Sequence, residues 1–157
     1  MLDSSSITMI LILVVLVTLS AYFSATETAF TSLNRIRLKS KADGGNRRAA
    51  LALRLVDQYD NLLSTILVGN NIVNLSASSL ATVFFTEGLR LQNGAVISTA
   101  VITIVVLVFG EVSPKSLAKE YPESFAMFSA PIMRVLMVIL TPVNIPVSYT
   151  HLTLPTT

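Results

Sequence analysis

A mainly apolar run near the N-terminus, residues 7–30, constrains the fold more than any other feature of the chain. As an α-helix it would be roughly 36 Å long, enough to cross a hydrocarbon core of about 30 Å with some tilt. No basic segment precedes it, so it predicts a retained span and not a cleaved signal peptide. Two further runs, residues 62–85 and 95–117, are of similar length. We therefore expect an all-α membrane protein with three transmembrane helices.

Composition supports this class and excludes others. With 52% hydrophobic and 13% charged residues among 157, the chain is too apolar for a soluble domain and too long for a single anchor. It has no cysteine, and its single histidine is His151, so soft-metal sites are not expected. No catalytic nucleophile, histidine base or cofactor loop stands out before residue 147, which predicts that the protein is not an enzyme.

The distribution of charge predicts the topology. Seven of the eleven basic residues lie between Arg35 and Arg54, and short cytoplasmic loops carry such an excess. In the cell (inner) membrane, the N-terminus then lies on the outer side. After three spans, the C-terminus is cytoplasmic. We expect no nucleic-acid partner for this cluster. Its second part, residues 47–56, has amphipathic helical spacing, which suits either contact with anionic headgroups or a solvated connector.

The last apolar segment, residues 125–140, is shorter than the other three and is interrupted by Pro131 and Arg134. These features predict a juxtamembrane amphipathic helix. The alternative is a fourth span, which would put the C-terminus outside.

Polar residues recur inside the first two spans. Ser20, Ser24, Glu27 and Thr31 form one helical stripe, which we expect to face the helix bundle; alternatively, Glu27 reaches the membrane surface. The second span contains three asparagines within two turns: Asn70, Asn71 and Asn74. Their amides suit either cation binding or hydrogen bonds between helices.

The third span ends in Gly110-Glu111-Val112-Ser113-Pro114-Lys115. Pro114 has no N–H to donate to the carbonyl of Gly110, so we expect a kinked third span with a free oxygen beside the Glu111 carboxylate. Such groups inside a membrane are typical of ion paths. The alternative is a salt bridge from Glu111 to Lys115 at a spacing of four residues.

With Phe23-Ser24-Ala25-Thr26-Glu27-Thr28-Ala29, Gly69-Asn70-Asn71-Ile72-Val73-Asn74 and the third-span motif in this order, residues 7–146 resemble the membrane (DUF21-type) domain of the cyclin M and CorC family. The resemblance implies a homodimeric magnesium transporter, working in efflux with sodium as the coupling ion. It also implies a following pair of cytosolic CBS modules that bind ATP, which this chain lacks.

The donor chemistry agrees with a hard cation, because magnesium prefers about six oxygen ligands and the motifs supply only oxygens. Sodium could occupy the same oxygens. The side chains of Ser24, Asn70 and Glu111 and the carbonyl of Gly110 are the expected ligands. Glu27, Asn71 and Asn74 lie at or next to the ion, and Pro114 and Lys115 shape the site. A competing function is a membrane sensor or scaffold that acts through CBS modules without transport.

One domain boundary is expected, after residue 146. Residues 1–146 form the transmembrane domain. Residues 147–157 look like the translation of a sequencing-library transposon adaptor, which predicts a non-native tail and a natural protein that continues beyond residue 146.

Overall fold

The computed structural model describes residues 3–140, and all of its regular structure in that range is helical. Seven α-helices follow in chain order, and their bounds are α1 Ser4–Ser32, α2 Arg35–Asp43, α3 Arg47–Asp57, α4 Tyr59–Val83, α5 Gly94–Val105, α6 Ser113–Glu120 and α7 Pro122–Ile139. Two π-helical segments, Phe84–Gly88 and Val106–Val112, extend α4 and join α5 to α6. The all-α prediction is confirmed, while the expected boundary at residue 146 and the tail lie outside the described residues.

Within residues 3–140, four helical stretches are long and apolar enough to cross a membrane: Ser4–Ser32, Tyr59–Gly88, Gly94–Glu120 and Pro122–Ile139. The first three include the runs predicted from the sequence. The fourth has 18 residues, close to the minimum for a span. The predicted count of three spans is therefore not confirmed. The three longest stretches are called the first, second and third span below.

The described chain divides into two compact units. The first consists of residues up to Ala25 together with Gly69–Leu117, and the second of Thr26–Val68 together with the residues from Ala118 onward.

Two glycines of the first unit, Gly69 and Gly110, permit a close approach of other helices to α1. A Cβ atom at Gly69 would lie 2.5 Å from Cζ of Phe23, so α4 approaches α1 as closely as the aromatic ring allows. A Cβ atom at Gly110 would lie 3.0 Å from Oγ of Ser20. Small residues permit this approach between membrane helices, where packing and hydrogen bonds replace the hydrophobic effect.

The second unit contains the basic connector between the first two spans. Asn34 caps α2, its Oδ1 accepting from the N–H groups of Ile36 and Arg37, and Asn46 caps α3 by accepting from the N–H of Ala49. Asparagine is a favourable residue at this position. Gly45, with φ of +98°, closes the turn between the two helices. The amphipathic helix predicted at residues 47–56 is confirmed as α3.

Small residues of the first two spans differ in whether they are covered by the chain itself. Ala25 and Ala81 are buried inside the single chain, so their surfaces pack against its own helices. Ser78 stays exposed.

Candidate functional site

The centre of the candidate site is a contact among the three spans of the first unit. The Ser20 hydroxyl on α1 donates to Oδ1 of Asn70 on α4, with 3.3 Å between the oxygens. Ser20 is 1% exposed and also faces Gly110, which is buried in the second π-helical segment. Two of the predicted ligand residues, Asn70 and Gly110, therefore both lie against the Ser20 hydroxyl.

Asn74 and Glu111 lie next to this centre, one helical turn beyond Asn70 and one residue beyond Gly110. They share a groove of about 260 Å³, which is lined by Asn74, Ser78, Ile102, Thr103, Val106, Leu107 and Glu111. The Oδ1 atom of Asn74 is buried and has no hydrogen-bond partner among the described residues. Most buried polar atoms in proteins are paired, and an unpaired one requires an explanation, such as an ion.

The backbone around Gly110 is π-helical, and this explains how the third span accommodates Pro114. The N–H of Ser113 donates to the carbonyl of Val108, five residues earlier, and Pro114 follows at the point where the helix returns to α-helical geometry. Because proline has no N–H, Pro114 donates neither to Gly110, the α-helical acceptor, nor to Phe109, the π-helical acceptor. Such π-helical segments occur often at functional sites. The kink itself and the free Gly110 carbonyl remain predictions.

The π-helical geometry also affects the alternative role of Glu111, a salt bridge to Lys115. Among residues 3–140, the ion pair that forms joins Arg35 to Asp57, and Glu111 does not pair with Lys115. A spacing of four residues puts side chains on one face of an α-helix, whereas a π-helix has more residues per turn. Both side chains are half-buried.

The three other predicted ligand residues differ in burial and in position. Ser24 is buried on α1, one turn after Ser20. Asn71 is exposed and does not line the groove. Glu27 is half-buried and belongs to the second unit, so its role at the site remains a prediction.

Sequence reasoning assigned no ligand role to Ser20, although the polar stripe on α1 contained it. The hydroxyl of Ser98 was also missed; its Oγ is buried and unpartnered within residues 3–140. The only signal for Ser98 was a lone serine in an apolar helix, one turn after Gly94. Across the described residues, no three histidine, aspartate or glutamate side chains cluster as a metal site.

Three apolar spans, joined by polar side chains that meet inside one unit, define a multi-pass helical membrane protein with a polar centre. Residues 11–153 match the family model described as the cyclin M transmembrane N-terminal domain. The chain belongs to this family, and its predicted membership is thereby confirmed.

Curated relatives agree with the family assignment. The chain is 43% identical over 137 residues to a UPF0053 protein of Haemophilus influenzae, covering 86% of this chain and 32% of that protein. It is 44% identical over 126 residues to the UPF0053 inner membrane protein YfjD of Escherichia coli, covering 79% of this chain and 29% of that protein. A chloroplastic DUF21 domain-containing protein of Arabidopsis thaliana is 33% identical over 143 residues, and the match covers 88% of this chain and 21% of that protein. The chain thus spans about a third or less of the length of these relatives.

Proposed function

We propose that this domain carries a divalent hard cation, magnesium, across the cell membrane. The observation that carries the proposal is the buried, unpartnered Oδ1 of Asn74 in the groove that also contains Glu111. A carboxylate and an amide oxygen are ligands that magnesium accepts, and the chain has no competing thiolate. Ser20 and Ser24 on α1, Asn70 on α4 and the carbonyl of Gly110 would supply further oxygens. Transport would run as efflux with sodium as the coupling ion, and the domain would not act as an enzyme.

The test is magnesium flux in proteoliposomes that carry the full-length protein, with and without a sodium gradient. We expect flux above that of protein-free vesicles, and a rate that depends on the gradient. The competing function, a sensor or scaffold acting through CBS modules that bind ATP, is favoured by the Ser20–Asn70 hydrogen bond, since that bond holds two helices together. Stoichiometric magnesium binding without flux would support the sensor, and the absence of both would contradict magnesium as the ion.

Asn74 allows a test in which stability and ion binding change in opposite directions. Asn74→Leu keeps the approximate side-chain volume and removes an unsatisfied buried oxygen, so thermal stability without magnesium should stay equal or rise by about 1 kcal/mol. Magnesium affinity should fall by about tenfold or more if that oxygen binds the ion. The measurements are thermal denaturation in detergent and calorimetric titration. Equal affinity in both proteins would remove Asn74 from the site.

We also propose three full crossings, with the N-terminus outside, the C-terminus cytoplasmic and α7 at the cytoplasmic boundary. The packing of α7 supports this: it contacts α3, a helix with three arginines, Arg47, Arg48 and Arg54. Near its start, Glu123 accepts from the N–H of Asn34, and Ser129 lies 3.2 Å from the Thr26 hydroxyl. The helix therefore runs back along the end of α1.

Single cysteines in this cysteine-free chain test the topology with an impermeant thiol reagent on intact cells. Ser5→Cys and Gln92→Cys should be labelled from outside, whereas Lys41→Cys and Ile139→Cys should be spared. Membrane permeabilisation should expose Lys41→Cys and provides the control. External labelling at residue 41 would invert the orientation, and external labelling at residue 139 would establish a fourth crossing.

Finally, we propose that two copies of the membrane domain form a homodimer. The exposed polar side chain of Asn71 on the second span supports it, because this amide would otherwise face lipid. Ser78→Cys should form a crosslinked dimer in membranes, and a monomeric mass in nanodiscs would contradict the proposal.

A further inference from the structure

The connector formed by α2 and α3 carries an unusual exposed surface. Within Arg35–Asp57 there are seven basic and two acidic side chains. All seven basic side chains are exposed, and of these Arg35 forms an ion pair, with Asp57. The remaining basic residues have no carboxylate within ion-pair distance in the described part of the chain. A surface of this charge attracts an anionic partner.

An apolar side chain lies within this basic surface. Ile36 is 81% exposed, more than any other large apolar side chain in residues 3–140, while Leu38, two positions later, is fully buried. The two side chains point to opposite sides of α2, because two residues span about 200° of an α-helix. On the outward side, Arg37 and Lys39 flank Ile36. This combination of an apolar residue with flanking basic residues is typical of helices at a membrane surface.

The connector joins the first span to the second. The first span ends at Ser32, α2 begins at Arg35, and the second span begins at Tyr59 directly after α3. Both ends of the connector are therefore held at the membrane boundary. The Asn34 cap starts α2 within a few residues of that boundary, so its outward side remains close to the lipid headgroups.

We infer that the exposed surface of α2, formed by Ile36, Arg37, Lys39 and Lys41, is a binding surface for anionic phospholipid headgroups. The basic side chains bind the phosphates, and Ile36 enters the boundary between headgroups and acyl chains. This surface lies in the second unit and does not depend on the proposed transport. Each basic residue near an anionic surface contributes about fivefold to the association.

The experiment uses a fluorescent reporter on the chain itself. Ser40→Cys, which is exposed one turn after Ile36, is labelled with an environment-sensitive dye, and the protein in detergent micelles is titrated with phosphatidylglycerol or phosphatidylcholine. We expect a blue shift with phosphatidylglycerol and little with phosphatidylcholine. Arg37→Gln should raise the half-maximal phosphatidylglycerol concentration about fivefold, and combining it with Lys39→Gln and Lys41→Gln should raise it at least tenfold. Far-UV circular dichroism confirms that the helices remain.

The matched control is Arg90→Gln, which removes one exposed basic side chain from the connection between the second and third spans. It should leave the titration unchanged, while Ile36→Ser should reduce the size of the blue shift. Equal shifts with both lipids, or equal effects of Arg37→Gln and Arg90→Gln, would overturn the inference. A blue shift produced by polyglutamate in phosphatidylcholine micelles, as large as that with phosphatidylglycerol, would assign the surface to an acidic protein segment and also overturn it.

Discussion

Glu111→Gln should lower magnesium affinity by about two orders of magnitude while leaving the helical fold intact. The substitution keeps the shape of the side chain in the groove beside Asn74 and removes its charge. Removing one member of a buried charge pair costs about 3 kcal/mol or more, and a dehydrated dication in a membrane domain is comparably dependent on its carboxylate. Calorimetric titration of the purified domain with magnesium measures the affinity, and circular dichroism measures the fold.

Two further substitutions test whether Glu111 binds magnesium directly or affects its affinity only through the overall charge of the domain. Glu87→Gln removes an exposed carboxylate at the end of the second span, and it should leave the affinity unchanged. Lys115→Met should reduce affinity less than Glu111→Gln, because the two side chains form no ion pair. If Glu111→Gln binds magnesium as well as the unmodified chain does, Glu111 is not a ligand, and the proposed site is wrong.

Much of the fold followed from hydropathy alone, because apolar runs of this length have few alternatives to membrane helices. The predicted runs at residues 62–85 and 95–117 correspond to Tyr59–Gly88 and Gly94–Glu120. The boundaries extended by up to three residues, since polar residues such as Asp60 and Lys119 continue a helix beyond the hydrocarbon region. Whether residues 122–139 cross remained open, because 18 residues with Pro131 and Arg134 suit either outcome.

The site was predictable in part, because residue type predicts ligand chemistry but not which face of a helix is buried. The motif at Gly110 and Glu111 indicated a disturbed helix, and the structure has a π-helical segment there. Continuous apolar sequence carries no periodic signal from which a change of register could be read. Likewise, Asn71 and Asn74 looked equivalent in sequence, whereas one is exposed and the other contributes a buried oxygen.

Ser20 illustrates what sequence could not supply. Its importance comes from two distant residues, Asn70 and Gly110, which meet it only when three helices pack. No local pattern distinguishes it from Ser24, one turn further along the same stripe. Helix contacts of this kind depend on which residues are small enough to permit them, and Gly69 and Gly110, which lie against α1, are examples.

Gly69→Ala should destabilise the domain by about 1–3 kcal/mol, the usual range for overpacking a well-filled interior. The added Cβ would lie 2.5 Å from Cζ and 2.7 Å from Cε1 of Phe23. The Phe23 ring is 7% exposed, and the Tyr22 ring packs against it with centroids 5.5 Å apart, so it has little room to move. Thermal denaturation in detergent measures the loss. Because Asn70 follows Gly69, the separation of α4 from α1 should also weaken the Ser20–Asn70 hydrogen bond.

A double substitution tests whether the Phe23 ring is the cause of the Gly69→Ala effect. Phe23→Ala alone should be destabilising through the cavity that it leaves, but adding Gly69→Ala to it should cost much less than Gly69→Ala costs alone. Contacting residues commonly show such coupling, of about 0.5–3 kcal/mol. Gly44→Ala is the matched control, since its Cβ would meet nothing closer than 3.5 Å, and it should change stability little. Strict additivity of the two substitutions would mean that α4 and α1 do not meet at Gly69 in the membrane.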